Sequence, residues 1–200
     1  MHPTGRQWTV IIPVKPAAIG KSRLGLGADV ARTIALDTVA AAVACEAVDR
    51  VIVVTADAAF RPPGAELLLE HAPSGIDAAV ASGARLAGIA AARAALLGDL
   101  PSLVPDELAA ALAAAAARAP GHPRTFVADH EGTGTTLVTA APGVELLTAF
   151  GGGSAAKHGA LGLFELDIPA DSSVRFDVDT PEQWEAALRR RGSGQPPERA

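Results

Sequence analysis

Apolar runs of strand type alternate with longer helical stretches along the chain, and this alternation is the strongest constraint on its fold. The strand-type runs are Trp8 to Val14, Arg50 to Thr55, Glu66 to Leu69, Ala94 to Leu97, Thr125 to Ala128, Leu137 to Ala140 and Phe164 to Ile168. Helices are expected over Ala28 to Ala47, Ile76 to Leu86, Pro105 to Ala119 and Pro181 to Arg190. Such a chain packs as an α/β protein, a mainly parallel sheet flanked by helices. The last helix is the best signalled: Thr180 can cap it, Pro181 suits its first position, and Gln183 completes a capping-box spacing.

Open parallel sheets bind ligands at the C-terminal ends of their strands. Just past the first strand stands Lys15-Pro16-Ala17-Ala18-Ile19-Gly20-Lys21-Ser22, a phosphate-binding P-loop in all but its first glycine, which is Lys15. A P-loop wraps phosphate in backbone N–H groups and needs glycine where the turn tightens. With Lys15, Lys21 and Arg23, this loop reads instead as a site that meets an anion with side-chain cations. A solvated basic turn is the plainer alternative. Thr55 and Asp57 follow the second strand, and Gly98-Asp99-Leu100-Pro101 follows the fourth.

Asp99 ends an apolar run at that same sheet edge, and a second acidic site, Asp177-Val178-Asp179-Thr180-Pro181, precedes the capped helix. Each has a bland reading, as a turn aspartate and as a helix entry, and Asp179 fits the latter better than Asp177 does. Together, two carboxylates from separate strand ends can hold Mg²⁺, a hard cation that prefers oxygen ligands and shares them with substrate phosphates. Loop cations and such a metal divide the labour that phosphoryl or nucleotidyl transfer requires, where catalysis is positioning and charge stabilisation.

Two glycine-rich segments lie between the acids. Ala128-Asp129-His130-Glu131-Gly132-Thr133-Gly134-Thr135-Thr136 joins two strands, and Phe150-Gly151-Gly152-Gly153-Ser154 precedes a short helical stretch with Lys157 and His158. Either can approach a phosphate or carboxylate closely, and either can equally be a plain turn or loop. The five histidines lack metal-ligand spacing, and no Ser-His-Asp order supports a hydrolase.

The chain is 49% hydrophobic and 20% charged, which suits one globular unit over residues 1–191, with 192–200 of tail composition. A net charge of −5 speaks against a nucleic-acid binder. The single cysteine, Cys45, excludes a disulfide framework and fits a reducing interior. Without an apolar signal segment or a run near the ~20 residues that span a bilayer, no membrane partner is expected, and the cytoplasm is the expected compartment.

Taken in order, Ile12-Pro13-Val14-Lys15 with Lys21-Ser22-Arg23-Leu24, Gly98 to Pro101, Ala128-Asp129 with Gly132 to Thr135, Phe150-Gly151 with Ser154 and His158, and Asp177 to Pro181 resemble the guanylyltransferases of deazaflavin coenzyme F-420 biosynthesis, the CofC/FbiD family. The resemblance implies a Rossmann-like nucleotidyltransferase related to the nucleotide-diphospho-sugar and MobA-like transferases. The Leu-Ala-Gly-Gly opening of the molybdenum branch is absent. It also implies a reaction that joins GMP from GTP to a phosphorylated three-carbon acid and releases pyrophosphate. That acid is phosphoenolpyruvate in the bacterial branch and 2-phospho-L-lactate in archaea; arginine-rich, alanine-rich composition leans toward phosphoenolpyruvate, with 3-phosphoglycerate a further alternative. Carried over by motif, Thr135, Gly151 and Ser154 would hold the acid, Asp99 and Asp177 the metal, and Lys15, Lys21 and Arg23 the triphosphate. The product would pass to the next transferase of the pathway. Asp77 departs from the family, which usually has asparagine there, and as a plain aspartate it could cap a helix. A kinase using Lys21 and Ser22, or a non-catalytic nucleotide-binding module, are the rivals.

Overall fold

The computed structural model describes residues 7–15, 27–71 and 75–193. The expected basic-loop residues Lys21 and Arg23 lie outside the described residues. Strands are β1 (Trp8–Pro13), β2 (Val48–Thr55), β3 (Glu66–Leu69), β4 (Ala92–Leu96), β5 (Arg124–Ala128), β6 (Thr135–Ala140) and β7 (Phe164–Glu165). Helices are α1 (Ala28–Ala44), α2 (Ile76–Ala87), α3 (Pro105–Arg118), α4 (Ser154–Ala160) and α5 (Pro181–Ser193), with a 3₁₀ turn at Ser173–Arg175.

Among the described residues these strands form one sheet in the order β3-β2-β1-β4-β6-β5-β7. Strands β1 to β4 run parallel, β6 is antiparallel to both its neighbours, and β7 is parallel to β5. Central β1 is buried on both faces, as its unbroken apolar run requires. Its side chains alternate: Val10 and Ile12 pack with Val39 of α1 and Leu108 and Leu112 of α3, while Ile11 packs with Ala79 and Val80 of α2. Helix α2 lies so close to β1 that a Cβ on Gly83 would sit 2.5 Å from the Cγ2 of Ile11.

Several boundaries differ from the sequence expectation for local reasons. Helix α1 stops at Ala44, where the Cys45 amide turns back to the Ala42 carbonyl, and β2 accordingly starts at Val48. Strand β7 is two residues long: Leu166 still donates to the Phe126 carbonyl at 2.8 Å, but the Ile168 amide folds back onto the Leu166 carbonyl. Helix α5 runs through Gly192 and Ser193, two residues into the stretch read as tail. Its start matches expectation, with Gln183 N–H donating to Thr180 Oγ1 at 3.2 Å and Thr180 N–H donating to Gln183 Oε1 at 2.9 Å.

Candidate active site

The sheet order reverses between β1 and β4, and the crevice outside their C-terminal ends is where an open α/β sheet takes its ligand. Lys15 emerges exposed at the end of β1, after the Val14 amide has bonded to the Val54 carbonyl at 2.8 Å. Asp99 emerges at the end of β4. The loop carrying it is pinned from behind by α1, whose buried Thr38 hydroxyl accepts the Leu100 amide at 3.0 Å.

Asp177 reaches the same crevice from the other end of the chain. The Val178 amide donates to the Asp99 carbonyl at 3.0 Å, and the Val178 side chain is buried with Ile34 of α1 and Ala187 of α5. Just upstream, the 3₁₀ turn is clamped to α3: one carboxylate oxygen of Glu107 accepts from the Ser172 hydroxyl, the Ser173 amide and the Ser173 hydroxyl, at 2.9, 2.5 and 2.7 Å. Arg175 then donates to the carbonyls of Asp129 and Ile168.

The two acids stand in an environment that resists their charge. Burial, then the charges of Asp177 and Asp179, push the Asp99 carboxyl from 3.8 to about 7, with Lys15 pulling the other way. Burial, then the charges of Asp179 and Asp129, raise Asp177 to about 6, with His130 opposing at 3.6 Å. Asp99 Oδ1 is sequestered from solvent with no hydrogen-bond partner among the described residues. A buried carboxylate oxygen left unpaired beside a second carboxylate is a donor set suited to a hard divalent cation.

Asp129 has a different task from the other acids. Its two oxygens accept the amides of Thr133 at 3.0 Å and Gly134 at 2.8 Å, closing the turn between β5 and β6. Gly134 is required there because a Cβ would lie 2.2 Å from Asp129 Oδ2. The turn delivers Thr135 to the start of β6, where its hydroxyl lies 2.9 Å from His158 Nδ1.

Helix α4 brings the remaining expected acid-binding residues to the same place. Ser154 opens it, nearly buried, and Gly151 precedes it with φ of 107° in the left-handed region that favours glycine. The Ala155 amide donates to the Thr133 carbonyl at 3.2 Å, which docks α4 onto the Asp129 turn. Asp77 does not cap α2, whose N-terminal residue Gly75 has no side-chain cap; its carboxylate instead accepts the Phe150 amide at 3.0 Å and holds the glycine-rich loop. Of the other strand-end residues, Asp57 is engaged in an ion pair with Arg32 at 3.2 Å.

Thus Lys15, Asp99 and Asp177 meet at one end of the crevice, Thr135, Gly151 and Ser154 gather around α4, and the Asp129 turn connects the two groups. In the sequence, His158 stands out only as part of the Phe150–His158 motif. Its spacing from Ser154, four residues along one helix, was the signal that both face the same way.

No protein-family model matches the chain. It is 45% identical over 199 residues to the phosphoenolpyruvate guanylyltransferase of Thermomonospora curvata, covering 94% of this chain and 86% of the relative. It is 47% identical over 197 residues to the phosphoenolpyruvate guanylyltransferase of Streptomyces coelicolor, covering 91% and 90%. The fold is shared with a nucleotidyl transferase from Methanothermobacter, with a TM-score of 0.61 at 17% identity over 92% of this chain and 99% of that one. It is also shared with Rv0371c of Mycobacterium tuberculosis solved as a manganese complex, with a TM-score of 0.58 at 16% identity over 93% and 100%.

Proposed function

The chain belongs to the family of the phosphoenolpyruvate guanylyltransferases, and from that membership we propose that it joins GMP from GTP to phosphoenolpyruvate, giving enolpyruvyl-diphospho-5'-guanosine and pyrophosphate. The observation that carries the reading is the meeting of Asp99 and Asp177, from distant parts of the chain, beside Lys15 at the switch point of the sheet.

We assign the divalent cation to Asp99 and Asp177, and take it to be Mg²⁺. Bound there, it would supply positive charge to the phosphate oxygens of the nucleotide. We assign Lys15, together with Lys21 and Arg23, to the triphosphate, where their charges would stabilise the negative charge that builds on the departing pyrophosphate. Thr135, Ser154 and the backbone around Gly151 hold the three-carbon acid. Its phosphate oxygen is anionic at neutral pH, so no general base is needed. That oxygen attacks the α-phosphorus in line, the bond to the β-phosphate oxygen breaks, and pyrophosphate leaves with the electron pair.

The reading places the reaction in the cytoplasm, in keeping with the free, buried Cys45. Among the described residues no helix is long and apolar enough to cross a membrane. Neither nucleic acid nor a lipid surface is required, and the diphosphate product would be handed to the next transferase.

The test is pyrophosphate release by the purified chain, with phosphoenolpyruvate, 2-phospho-L-lactate and 3-phosphoglycerate each offered with GTP, ATP or CTP. The next transferase is included to trap a labile product. Phosphoenolpyruvate with GTP should be fastest. Release of GDP instead of pyrophosphate would indicate a kinase, and GTP binding without pyrophosphate from any acid would indicate a binding module.

A further inference from the structure

His158 is wholly buried in α4, tilted against the Phe126 ring at 5.7 Å and edge-on to the Phe150 ring at 5.3 Å. Both its nitrogens are nonetheless engaged. The Ala149 backbone amide lies 2.9 Å from Nε2, and an amide can only donate, so Nε2 carries a lone pair and no proton. A ring deprotonated at Nε2 is neutral only with its proton on Nδ1, which then donates to Thr135 Oγ1 at 2.9 Å. Having accepted that bond, the Thr135 hydroxyl has its own proton free to point elsewhere. Burial supports the neutral ring by holding its pKa down; the Asp77 charge and the Ser154 carbonyl oppose this, and Lys157 reinforces it.

We propose that His158 is a positioning residue for the acceptor acid, fixing Thr135 as a hydrogen-bond donor toward the substrate's anionic oxygens while its other nitrogen anchors the loop entering Gly151. The proposal rests on the assignment of Thr135, Gly151 and Ser154 to the acid. It explains why a histidine occupies an apolar pocket that phenylalanine or leucine would fill without polar obligations. One ring holds the β6 side of the acid site through Thr135 and the loop side through Ala149. Asp77 acts alongside it through the next amide, that of Phe150. A protonated ring would turn an N–H toward the Ala149 amide and lose that anchor.

Two measurements test this, one of them independent of catalysis. Two-bond ¹H–¹⁵N spectra of the histidine-labelled chain, assigned by comparison with His158→Gln, should report a neutral Nδ1–H tautomer for His158 at pH 7. The Nε2–H tautomer or a charged ring overturns the proposal whatever the substrate. Kinetically, His158→Leu should raise the KM for phosphoenolpyruvate by about tenfold or more, while kcat and the KM for GTP stay within about threefold. His158→Gln, which retains an acceptor and a donor, should recover much of the loss and guards against a folding defect. In a Thr135→Val background, His158→Leu should cost clearly less than it does alone, leaving only the part that runs through the Ala149 amide. Full additivity, or an equal rise in the KM for GTP, overturns the proposal. If the wild-type chain releases no pyrophosphate with any acid, the substrate reading fails, and the tautomer alone decides the role of His158.

Discussion

The backbone amide of Val178 donates to the backbone carbonyl of Asp99, so the end of β4 and the approach to α5 are joined without either carboxylate taking part. The side chains of Asp99 and Asp177 are therefore held near each other by a frame that does not depend on their attraction, and their charges in fact oppose it. The paired acids store an electrostatic cost that a divalent cation, bound as proposed, would relieve.

Asp99→Asn should lose pyrophosphate formation by about a hundredfold or more, the scale of removing one strong charge-stabilising contact. The same change removes a carboxylate that burial and Asp177 disfavour, so the metal-free variant should melt a few degrees higher than wild type at neutral pH. Thermal melts alongside product assays check both halves, and near-normal turnover would remove Asp99 from the metal role.

The pH dependence of stability should carry the same signature. Both acids have folded pKa values above the ordinary 3.8, about 7 for Asp99 and about 6 for Asp177, so the folded state holds their protons more tightly than the unfolded state does. Their contribution is fully present below about pH 4 and is lost as pH rises through 6 and then 7. In metal-free buffer, the stability of wild type relative to Asp99→Asn/Asp177→Asn should fall over that window in urea titrations. Adding Mg²⁺ or Mn²⁺ should oppose the fall, with release of protons measurable in weakly buffered solution. His158 runs the other way: its folded pKa is lowered, so its contribution is lost as pH falls.

Asp77→Asn keeps an oxygen able to accept the Phe150 amide, so acceptor KM should change by less than about threefold. Asp77→Ala gives that exposed amide to water and releases the loop, and should raise acceptor KM by about fivefold or more, with the GTP KM little altered. Equal effects in steady-state kinetics would mean that the charge, rather than the bond, matters.

Gly134→Ala should be far more damaging than a surface glycine change, because its Cβ would meet Asp129 Oδ2 and dislodge the carboxylate from the Thr133 and Gly134 amides. A loss of about 2–3 kcal/mol in chemical denaturation is expected, with weaker acceptor binding in what remains folded.

Much of this was visible in the chain itself. The period of the apolar runs located each strand and each long helix, and the Thr180–Gln183 spacing marked the start of α5. Asp99 could be singled out because it ends an apolar run at the ligand-binding edge, and Asp177 because it stands just before the capped helix, although it follows the 3₁₀ turn at Ser173–Arg175 rather than a strand. What stayed hidden were partners chosen by side-chain direction. Asp77, which as a plain aspartate could have capped α2, instead serves the glycine-rich loop by accepting the Phe150 amide. Nothing in the glycine-rich segment announced that both oxygens of Asp129 would be taken by the amides of its own turn. Glu107 carried no signal at all, since nothing local announces that a helical glutamate will clamp Ser172 and Ser173.

The sequence by itself determined the α/β architecture and the list of charged residues at the strand ends, because periodicity and chain order act locally and need no distant partner. Only the tertiary structure decided that Asp99 and Asp177 share one crevice, that Asp99 Oδ1 is left unpaired, and that His158 must carry its proton on Nδ1. Those properties depend on desolvation and on the direction of single hydrogen bonds, and both exist only once the chain has closed around them.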